Sequence, residues 1–394
     1  MRAVSRRTVL RAALGGAGLA LTAPLLRPGR ARATGSPPPL GPPDANGLRL
    51  LPGFTSRVVA RAGQPPIAGG AYRWHASPDG GATFRVPDGG WIYVSNSELP
   101  ENQGGTGALR FDATGTVIDA YPILTGTSVN CAGGPTPWGT WLSCEEFPLG
   151  RVWECDPFGK RDAVVRPALG VFMHEAVAVD PVGKRLYLTE DHPAGRLYRF
   201  TPTASLPTGA YDLSAGLLEV AQVTNEGPDG VSGPVIWHTV PDPSAAHVPT
   251  NQQVPASTAF PGAEGIAIHA GVAYFTTKYD NRVWAYDLQR QAIGVLYDDD
   301  RFDDPVLTGV DNVAITPAGS ILVAEDLGDM QLVAIVPGGP VYPILQVVDH
   351  VGSEITGPAF DPSGTRLYVS SQRGPGGLLH EGVTYEVRGP FAKI

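Results

Sequence analysis

The chain has 394 residues and a formal net charge of −9 at pH 7, with 50 glycines, 39 prolines and three cysteines. Because Asp and Glu outnumber Lys and Arg, we do not expect the basic surface that a nucleic-acid-binding protein needs. The glycine and proline content indicates many tight turns, and after residue 30 no long stretch repeats apolar residues with a helical period. These properties favour an all-β chain.

Residues 1–33 have the features of an export signal. The sequence SRRTVL at residues 5–10 is a twin-arginine motif, an apolar stretch follows over 12–26, and ARA at 31–33 fits a cleavage site. The apolar stretch is too short and too rich in glycine and alanine to favour a permanent membrane anchor. We therefore predict a twin-arginine signal peptide, export through the twin-arginine (Tat) machinery to an extracytoplasmic location, and a Pro/Gly-rich linker over 34–47.

Removal of residues 1–33 makes the chain more acidic. It takes away seven arginines and no acid, which leaves 22 Lys and Arg against 38 Asp and Glu and a net charge of −16. Such a chain repels nucleic acids and anionic membranes. It also repels a phosphate substrate unless cations bound by clustered carboxylates reverse the local field.

A short unit, made of a turn, a strand-like run and a polar or charged ending, occurs six times along the chain. The strand-like runs are residues 92–95, 140–143, 186–189, 272–275, 321–324 and 367–370. Equivalent positions lie 46 to 48 residues apart, except for 87 residues between Glu190 and Thr277. Periods of this length in a β-rich chain are typical of propeller blades.

We therefore predict an all-β fold with one domain, a six-bladed β-propeller over residues 48–394. The single long interval predicts an insertion between blades, within residues 201–262. A closed propeller of this kind is predicted to be a monomer. The alternative fold is an ordinary β-sandwich whose segments resemble one another by accident.

Acidic residues recur at one end of the predicted hairpins. They include Glu145, Glu175, Glu190, Glu264, Asp311, Glu325 and Glu354. Because strand, turn and strand separate Glu175 from Glu190, both side chains belong to the same end of one hairpin. Radial copies of one hairpin place these ends around one axial channel, so the pattern predicts a site for hard cations.

The three cysteines, Cys131, Cys144 and Cys155, lie within one repeat and its following loop. In an exported protein, Cys131 can pair with Cys144 across a hairpin and leave Cys155 free. Cys144, however, directly precedes the acidic pair at 145–146, where a thiolate is unfavourable alone but suitable as a transition-metal ligand. We favour metal ligation by Cys144, with the disulfide as the alternative.

The sequence NCAGGPTPWGTWLSCEE at residues 130–146 closely resembles the hallmark segment of the PhoX family of secreted bacterial alkaline phosphatases. The resemblance extends through residues 174–191, 264–265, 311–312, 324–326 and 357–373, and thus over nearly the whole chain after the signal. It implies a six-bladed propeller whose channel holds a cluster of Fe³⁺ and Ca²⁺. It also implies hydrolysis of small phosphomonoester substrates.

The resemblance also implies roles for individual residues. By position Cys144 matches the thiolate that bridges two ferric ions, and Cys144, Glu264 and Arg373 are the predicted catalytic residues. The predicted metal ligands are Cys144, Glu145, Glu175, Glu190, Glu264, Asp311 and Glu325.

One departure from the family pattern concerns phosphate binding. Where the family has RPEG, this chain has GAEG at residues 262–265, so Gly262 replaces an arginine that contributes to phosphate binding. Arg373, Lys278 and Arg282 are candidates for a compensating cation.

Two other functions are compatible with the sequence. A calcium-dependent lactonase of the six-bladed gluconolactonase type needs one cation held by a few residues such as Glu175, Glu264, Asp311 and Asn312. That reading leaves the cysteine of the Cys-Glu-Glu segment at 144–146 unexplained. A non-enzymatic extracytoplasmic propeller is the second alternative. Iron with calcium supports the phosphatase, calcium alone the lactonase, and no channel metal the scaffold.

Overall fold

The computed structural model describes residues 37–326 and 328–394. In this part of the chain the structure contains 26 β-strands and six short 3₁₀ helices, and no α-helix. The predicted signal peptide and the first residues of the predicted linker lie outside the described residues. Among the described residues, no helix is long and apolar enough to cross a membrane.

The strands are numbered in chain order. The first thirteen are β1 (Leu48–Leu50), β2 (Thr55–Arg61), β3 (Pro78–Arg85), β4 (Trp91–Ser97), β5 (Gly104–Phe111), β6 (Val117–Thr127), β7 (Asn130–Pro135), β8 (Trp141–Glu145), β9 (Val152–Cys155), β10 (Val164–Val165), β11 (His174–Asp180), β12 (Arg185–Glu190) and β13 (Leu197–Pro202). The other thirteen are β14 (Gly216–Val223), β15 (Gly233–Thr239), β16 (Ala263–His269), β17 (Val272–Thr277), β18 (Arg282–Asp287), β19 (Ala292–Asp298), β20 (Val310–Ile315), β21 (Ile321–Glu325), β22 (Gln331–Ile335), β23 (Val341–Val347), β24 (Ile355–Phe360), β25 (Arg366–Ser371) and β26 (Val383–Arg388). The 3₁₀ helices are Pro167–Leu169, Thr250–Gln252, Lys278–Asp280, Asp299–Arg301, Leu379–Glu381 and Phe391–Lys393.

The second strand of each repeat is buried on both faces. Every residue of β4, β8, β21 and β25 is buried, which fits their nearly continuous apolar sequences. Tight turns precede these strands, and Gly139 and Gly319 adopt positive φ angles of 85° and 92° there. Apolar side chains of neighbouring sheets pack together between the sheets, as in the cluster that contains Leu142, Val177 and Leu186.

The strands pair into five antiparallel sheets. Their orders are β3-β4-β5-β6, β10-β9-β8-β7, β11-β12-β13-β14-β15-β19-β18-β17-β16, β1-β23-β22-β21-β20 and β2-β26-β25-β24. The nine-stranded sheet differs from the separate blades that the sequence predicts. Its β15 lies within the predicted insertion and pairs with β14 over five residues and with β19 through Gly233↔Ile293 and Pro234↔Ala292. The insertion thus joins two edges that would otherwise be separate.

The first strands of the repeats surround a common centre. Each of β3, β7, β11, β16, β20 and β24 contacts the next, and β24 contacts β3. The two ends of the chain meet in this arrangement, because β1 pairs with β23 and β2 pairs with β26. The prediction of an all-β, propeller-like fold is confirmed.

Candidate metal centre

One set of polar side chains comes from the beginnings of the six inner strands. The second residues of these strands are Asp79, Cys131, Glu175, Glu264, Asp311 and Thr356. In all six hairpins the pairing register shifts at this position or directly after it, as between His174 and Val177. A bulge bends a strand and changes the direction of its side chains. The same local irregularity therefore orients one residue from every inner strand.

A second set comes from the residues that directly follow the second strands of the hairpins. These residues are Glu98, Glu146, Asp191, Lys278, Asp326 and Gln372. The last residue of the second strand pairs with the first residue of the inner strand, as Glu190 does with His174 and Glu325 with Val310. Because side chains alternate along a strand, the residue after this pair has a different direction from the paired one.

Members of the two sets, together with Glu354 directly before β24, form three groups of possible metal ligands. The groups are Cys131–Glu146–Glu175, Glu175–Glu264–Asp311 and Asp311–Asp326–Glu354, with the ligand atoms of each group within 4.8 Å of one another. Because Glu175 belongs to the first two groups and Asp311 to the last two, the groups form one continuous row. This row offers three adjacent positions for cations.

The electrostatics of the row fit bound cations. Glu175 Oε2, Asp191 Oδ1 and Asp326 Oδ1 are buried and accept no hydrogen bond within the described part of the chain. Burial raises the pKa of Glu175 well above its ordinary value, and the neighbouring Glu146 and Asp311 carboxylates raise it further. Burial likewise raises the pKa of Asp311 to about 7, against the opposing charge of Lys278. Crowded buried carboxylates of this kind become stable anions when metal ions neutralise them.

The donor atoms indicate which cations fit the row. Carboxylate oxygens are the ligands that calcium prefers, whereas a thiolate selects softer transition metals such as iron. The thiol of Cys131 lies at one end of the row, and the group at the other end, Asp311–Asp326–Glu354, offers oxygen alone. The residues present can therefore hold metal ions of both kinds.

Two basic side chains lie beside the row. Lys278 Nζ is 2.8 Å from Glu264 Oε1, 3.4 Å from Asp191 Oδ2 and 3.7 Å from Asp326 Oδ2. Arg373 Nη2 is 2.6 Å from Glu354 Oε1. Both side chains keep about a quarter of their surface exposed, at 26% and 28%.

The third basic residue, Arg282, pairs with Asp280 and Asp298 at 2.9 Å and 3.2 Å. Neither of these partners belongs to the three ligand groups. Of the three cations that the sequence suggests as substitutes for the missing arginine, Lys278 and Arg373 thus lie beside the row.

Comparison with known proteins decides the family. The model of the family described as "Alkaline phosphatase PhoX" matches residues 68–153 and 148–290, which is more than half of the chain. The chain belongs to the PhoX family. Membership supports an alkaline-phosphatase-type hydrolase and a dependence on metal ions.

The PhoX fold is also found among solved structures. The chain is similar to Pseudomonas fluorescens PhoX in complex with vanadate, a transition-state analogue, with a TM-score of 0.72 and 16% identity over 90% of this chain and 97% of that chain. A gluconolactonase, XC5397 from Xanthomonas campestris, has a TM-score of 0.46 and 12% identity over 91% of this chain and 97% of that chain. No curated protein sequence matches this chain significantly.

Three of the ligands predicted from the PhoX resemblance come together. Glu175, Glu264 and Asp311 form the middle group of the row. All three are second residues of inner strands, β11, β16 and β20. Their common position in the hairpins explains their convergence.

The three remaining carboxylates, Glu145, Glu190 and Glu325, end their strands and receive local hydrogen bonds. Glu325 accepts from the backbone N–H groups of Thr308 and Gln331 at 2.9 Å and 3.0 Å. Glu145 accepts in the same way from loop N–H groups at residues 128 and 151, at 3.2 Å and 3.3 Å. Glu190 accepts from the Tyr198 hydroxyl and the Asn251 amide, both at 2.9 Å. The structure therefore uses these carboxylates to hold loops.

Cys144 is fully buried in an apolar cluster with Leu142, Val152 and Leu188. Burial raises the pKa of its thiol well above the ordinary value, and Glu175 and Glu145 raise it further. Cys131 is the cysteine that the structure brings to Glu146 and Glu175. All three cysteines are free, so the alternative of a disulfide between Cys131 and Cys144 is wrong.

The sequence interpretation did not include four members of the row among the predicted metal ligands. They are Cys131, Glu146, Asp326 and Glu354. The signal for Cys131 was the alignment of Asn130-Cys131-Ala132 with His174-Glu175-Ala176, since both triplets begin an inner strand. For Glu146 and Asp326, strand alternation distinguishes the second acid of each pair from the first.

Proposed function

We propose that this protein is an exported, metal-dependent phosphomonoester hydrolase whose central site holds iron and calcium. The observation that carries the proposal is the row of three ligand groups joined through Glu175 and Asp311. Membership in the PhoX family supports the reaction class. We also interpret the nine-stranded sheet as two blades joined by β15, which makes the propeller six-bladed.

The ligand groups would hold different metals. We assign iron to the end of the row at Cys131, Glu146 and Glu175, because only this group offers sulfur. We assign calcium to the oxygen-only group at the other end, Asp311–Asp326–Glu354. Glu175 and Asp311 each belong to two groups, so each carboxylate would help to hold two neighbouring ions.

The bound ions would supply neutralisation of the phosphoryl charge and activation of the attacking water. Without bound metal ions, the negative charge of the buried carboxylates would repel a phosphate monoester. The acidic row and an anionic substrate are compatible only when the row carries cations.

Arg373 is suited to orient the phosphoryl group. Its guanidinium contacts Glu354 through Nη2 at 2.6 Å and its side chain is 28% exposed, so the remaining N–H groups can reach a ligand. Its backbone N–H donates to Ser353 Oγ at 2.9 Å, which fixes the chain at this point. A planar guanidinium donates two parallel hydrogen bonds to phosphate oxygens, and this gives orientation as well as charge.

The test is metal analysis combined with an assay on a generic aryl phosphate. The purified protein, loaded with iron and calcium, should contain both metals and release phosphate. Glu175→Gln should lose metal and activity together because Glu175 belongs to two ligand groups. Cys155→Ser, a change at a buried cysteine that belongs to none of the three ligand groups, is the control and should keep both. Calcium without iron, together with hydrolysis of lactones but not of phosphoesters, would show the lactonase alternative instead.

A further inference from the structure

One position around the centre carries the opposite charge from most of its equivalents. Four of the six residues that directly follow the second strands are acids: Glu98, Glu146, Asp191 and Asp326. The fifth is Gln372, and the sixth is Lys278, which follows β17. The strand geometry that places carboxylates beside the ligand row therefore places one ammonium group there.

The ammonium group lies among carboxylates from three different hairpins. Its nearest contact is Glu264 Oε1 at 2.8 Å, followed by Asp191 Oδ2 at 3.4 Å and Asp326 Oδ2 at 3.7 Å. The side chain of Glu264 is 1% exposed, and those of Asp191 and Asp326 are 10% and 13% exposed.

Asp191 shows what the ammonium replaces. Its equivalents Glu146 and Asp326 each belong to a ligand group, but Asp191 belongs to none of the three groups found in the described residues. Its Oδ2 faces Lys278, and its Oδ1 is buried without a hydrogen-bond donor from the described chain. Asp191, Glu264 and Asp326 all face this ammonium group, although their oxygens do not form a fourth group within 4.8 Å of one another.

We propose that the ammonium group of Lys278 takes the place of one metal ion beside Asp191, Glu264 and Asp326. The proposal rests on the proposed function because it concerns the same site. It adds that this chain binds one metal ion fewer than its carboxylates would bind without the lysine. The ammonium neutralises Glu264 in the middle of the row, and it repels a further cation from this corner.

The experiment removes the charge and counts calcium. Lys278→Met keeps a long unbranched side chain but leaves three carboxylates without their ammonium partner. After equilibrium dialysis against the same free calcium, we expect Lys278→Met to bind about one more calcium ion per chain than the wild type. Three carboxylate oxygens lie within 3.7 Å of the position that the ammonium nitrogen leaves, and calcium prefers carboxylate oxygens. Elemental analysis gives the number, and calcium titration calorimetry gives the affinity of the added site.

Two controls separate the role of charge from that of position. Lys278→Arg keeps the positive charge and should bind calcium in the wild-type number. Arg282→Met removes a cation that pairs with Asp280 and Asp298, outside the three ligand groups, and should also leave the number unchanged.

The outcomes distinguish this inference from the proposed function. A folded Lys278→Met protein with the wild-type number of calcium ions would overturn the inference alone. A wild type without any bound metal would overturn the proposed function, whereas the difference between variant and wild type would still decide the role of Lys278. If Lys278→Met unfolds without calcium, added calcium should restore its circular dichroism spectrum, and failure of calcium to do so overturns the inference.

Discussion

Cys131 and Glu175 occupy the same position in neighbouring inner strands: each is the second residue of its strand, β7 and β11, and each lies within a shift in pairing register. Their sulfur and carboxylate oxygen lie within 4.8 Å of each other and of a Glu146 oxygen. A soft and a hard ligand are thus available to one ion. This relationship makes Cys131 the cysteine whose replacement tests the iron site.

Serine substitutions of Cys131 and Cys144 should have different effects, because the two cysteines lie in different environments. Cys131→Ser should lose iron, the visible absorption expected of a thiolate bound to ferric iron, and most of the phosphatase activity. Cys144→Ser should keep the metal but lower the free energy of unfolding by about 1–3 kcal/mol, because it puts a hydroxyl into an apolar cluster. Absorption spectra, metal content and urea unfolding of both variants check this. Loss of colour in Cys144→Ser but not in Cys131→Ser would reverse our assignment.

Removing the guanidinium of Arg373 should weaken phosphate binding. We expect Arg373→Met to raise the inhibition constant for phosphate about 10- to 100-fold, the effect of losing a charge-assisted hydrogen bond. Arg282→Met is the matched control, since Arg282 pairs with Asp280 and Asp298 outside the ligand groups. Equal effects of the two substitutions would show that general charge, and not a contact by Arg373, attracts the phosphate.

Because of Glu190, the free energy of unfolding should fall as the pH rises. Burial raises its pKa from the ordinary value of 4.5 to about 8, in spite of hydrogen bonds from Tyr198 and Asn251. Between these two values the folded state binds more protons than the unfolded state, so the free energy of unfolding falls with rising pH.

The Glu190→Gln variant should lack this contribution, because its amide does not titrate. The difference in free energy of unfolding, variant minus wild type, should therefore rise by on the order of a few kcal/mol between pH 5 and pH 9. Urea unfolding of both proteins across this range gives the difference. Parallel curves for the two proteins would contradict the raised pKa of Glu190.

Restoring the family arginine at position 262 should not restore phosphate affinity. Gly262 has a φ angle of 63°, and a Cβ atom there would lie 3.1 Å from the Tyr279 ring and 3.2 Å from Lys278 Cβ. A side chain in this left-handed conformation costs roughly 1–2 kcal/mol. We expect Gly262→Arg and Gly262→Ala to be destabilised alike in thermal unfolding and to bind phosphate no more tightly than the wild type. Tighter binding by the arginine variant alone would show that the backbone adapts.

Export should depend on the paired arginines of the predicted signal. Replacing Arg6 and Arg7 by lysine should leave the precursor in the cytoplasm, because the twin-arginine pair is an address read by a receptor. Cell fractionation and immunoblotting measure the distribution, with Arg27→Lys and Arg30→Lys in the same signal as controls. Normal secretion of the protein with lysines at 6 and 7 would exclude the twin-arginine route.

The sequence predicted the all-β class and the position of the hairpin ends because both depend on local signals. Turn residues and apolar runs are visible at a constant period, and the carboxylates of Glu175, Glu264 and Asp311 occur at one phase of it. The pairing of β15 with β19 was not predictable in this way. It joins Gly233 to Ile293 across 60 residues, and it depends on which strand edges lie close together in space.

The choice between neighbouring residues was the harder problem at the site. Cys144 and Cys131 lie on paired strands of one hairpin, and motif position alone favoured the former. Their environments depend on the register shift between Asn130 and Gly133, which no turn or periodicity reveals. The same limit applies to Glu325 and Asp326, because only the loop N–H donors of Thr308 and Gln331 show that Glu325 has local partners.

The pairing of β2 with β26 has a consequence for the life of the protein in the cell. Arg57 Nη2 in β2 is 2.7 Å from Glu386 Oε2 in β26, across 329 residues of chain. This sheet can form only after the ribosome has released the C-terminal residues, and contacts this distant in sequence form late in folding. A pathway that threads an unfolded chain, N-terminus first, would have to keep β2 unpaired until β26 has also crossed the membrane. Transport of an already folded molecule, which the predicted twin-arginine signal implies, would avoid this delay.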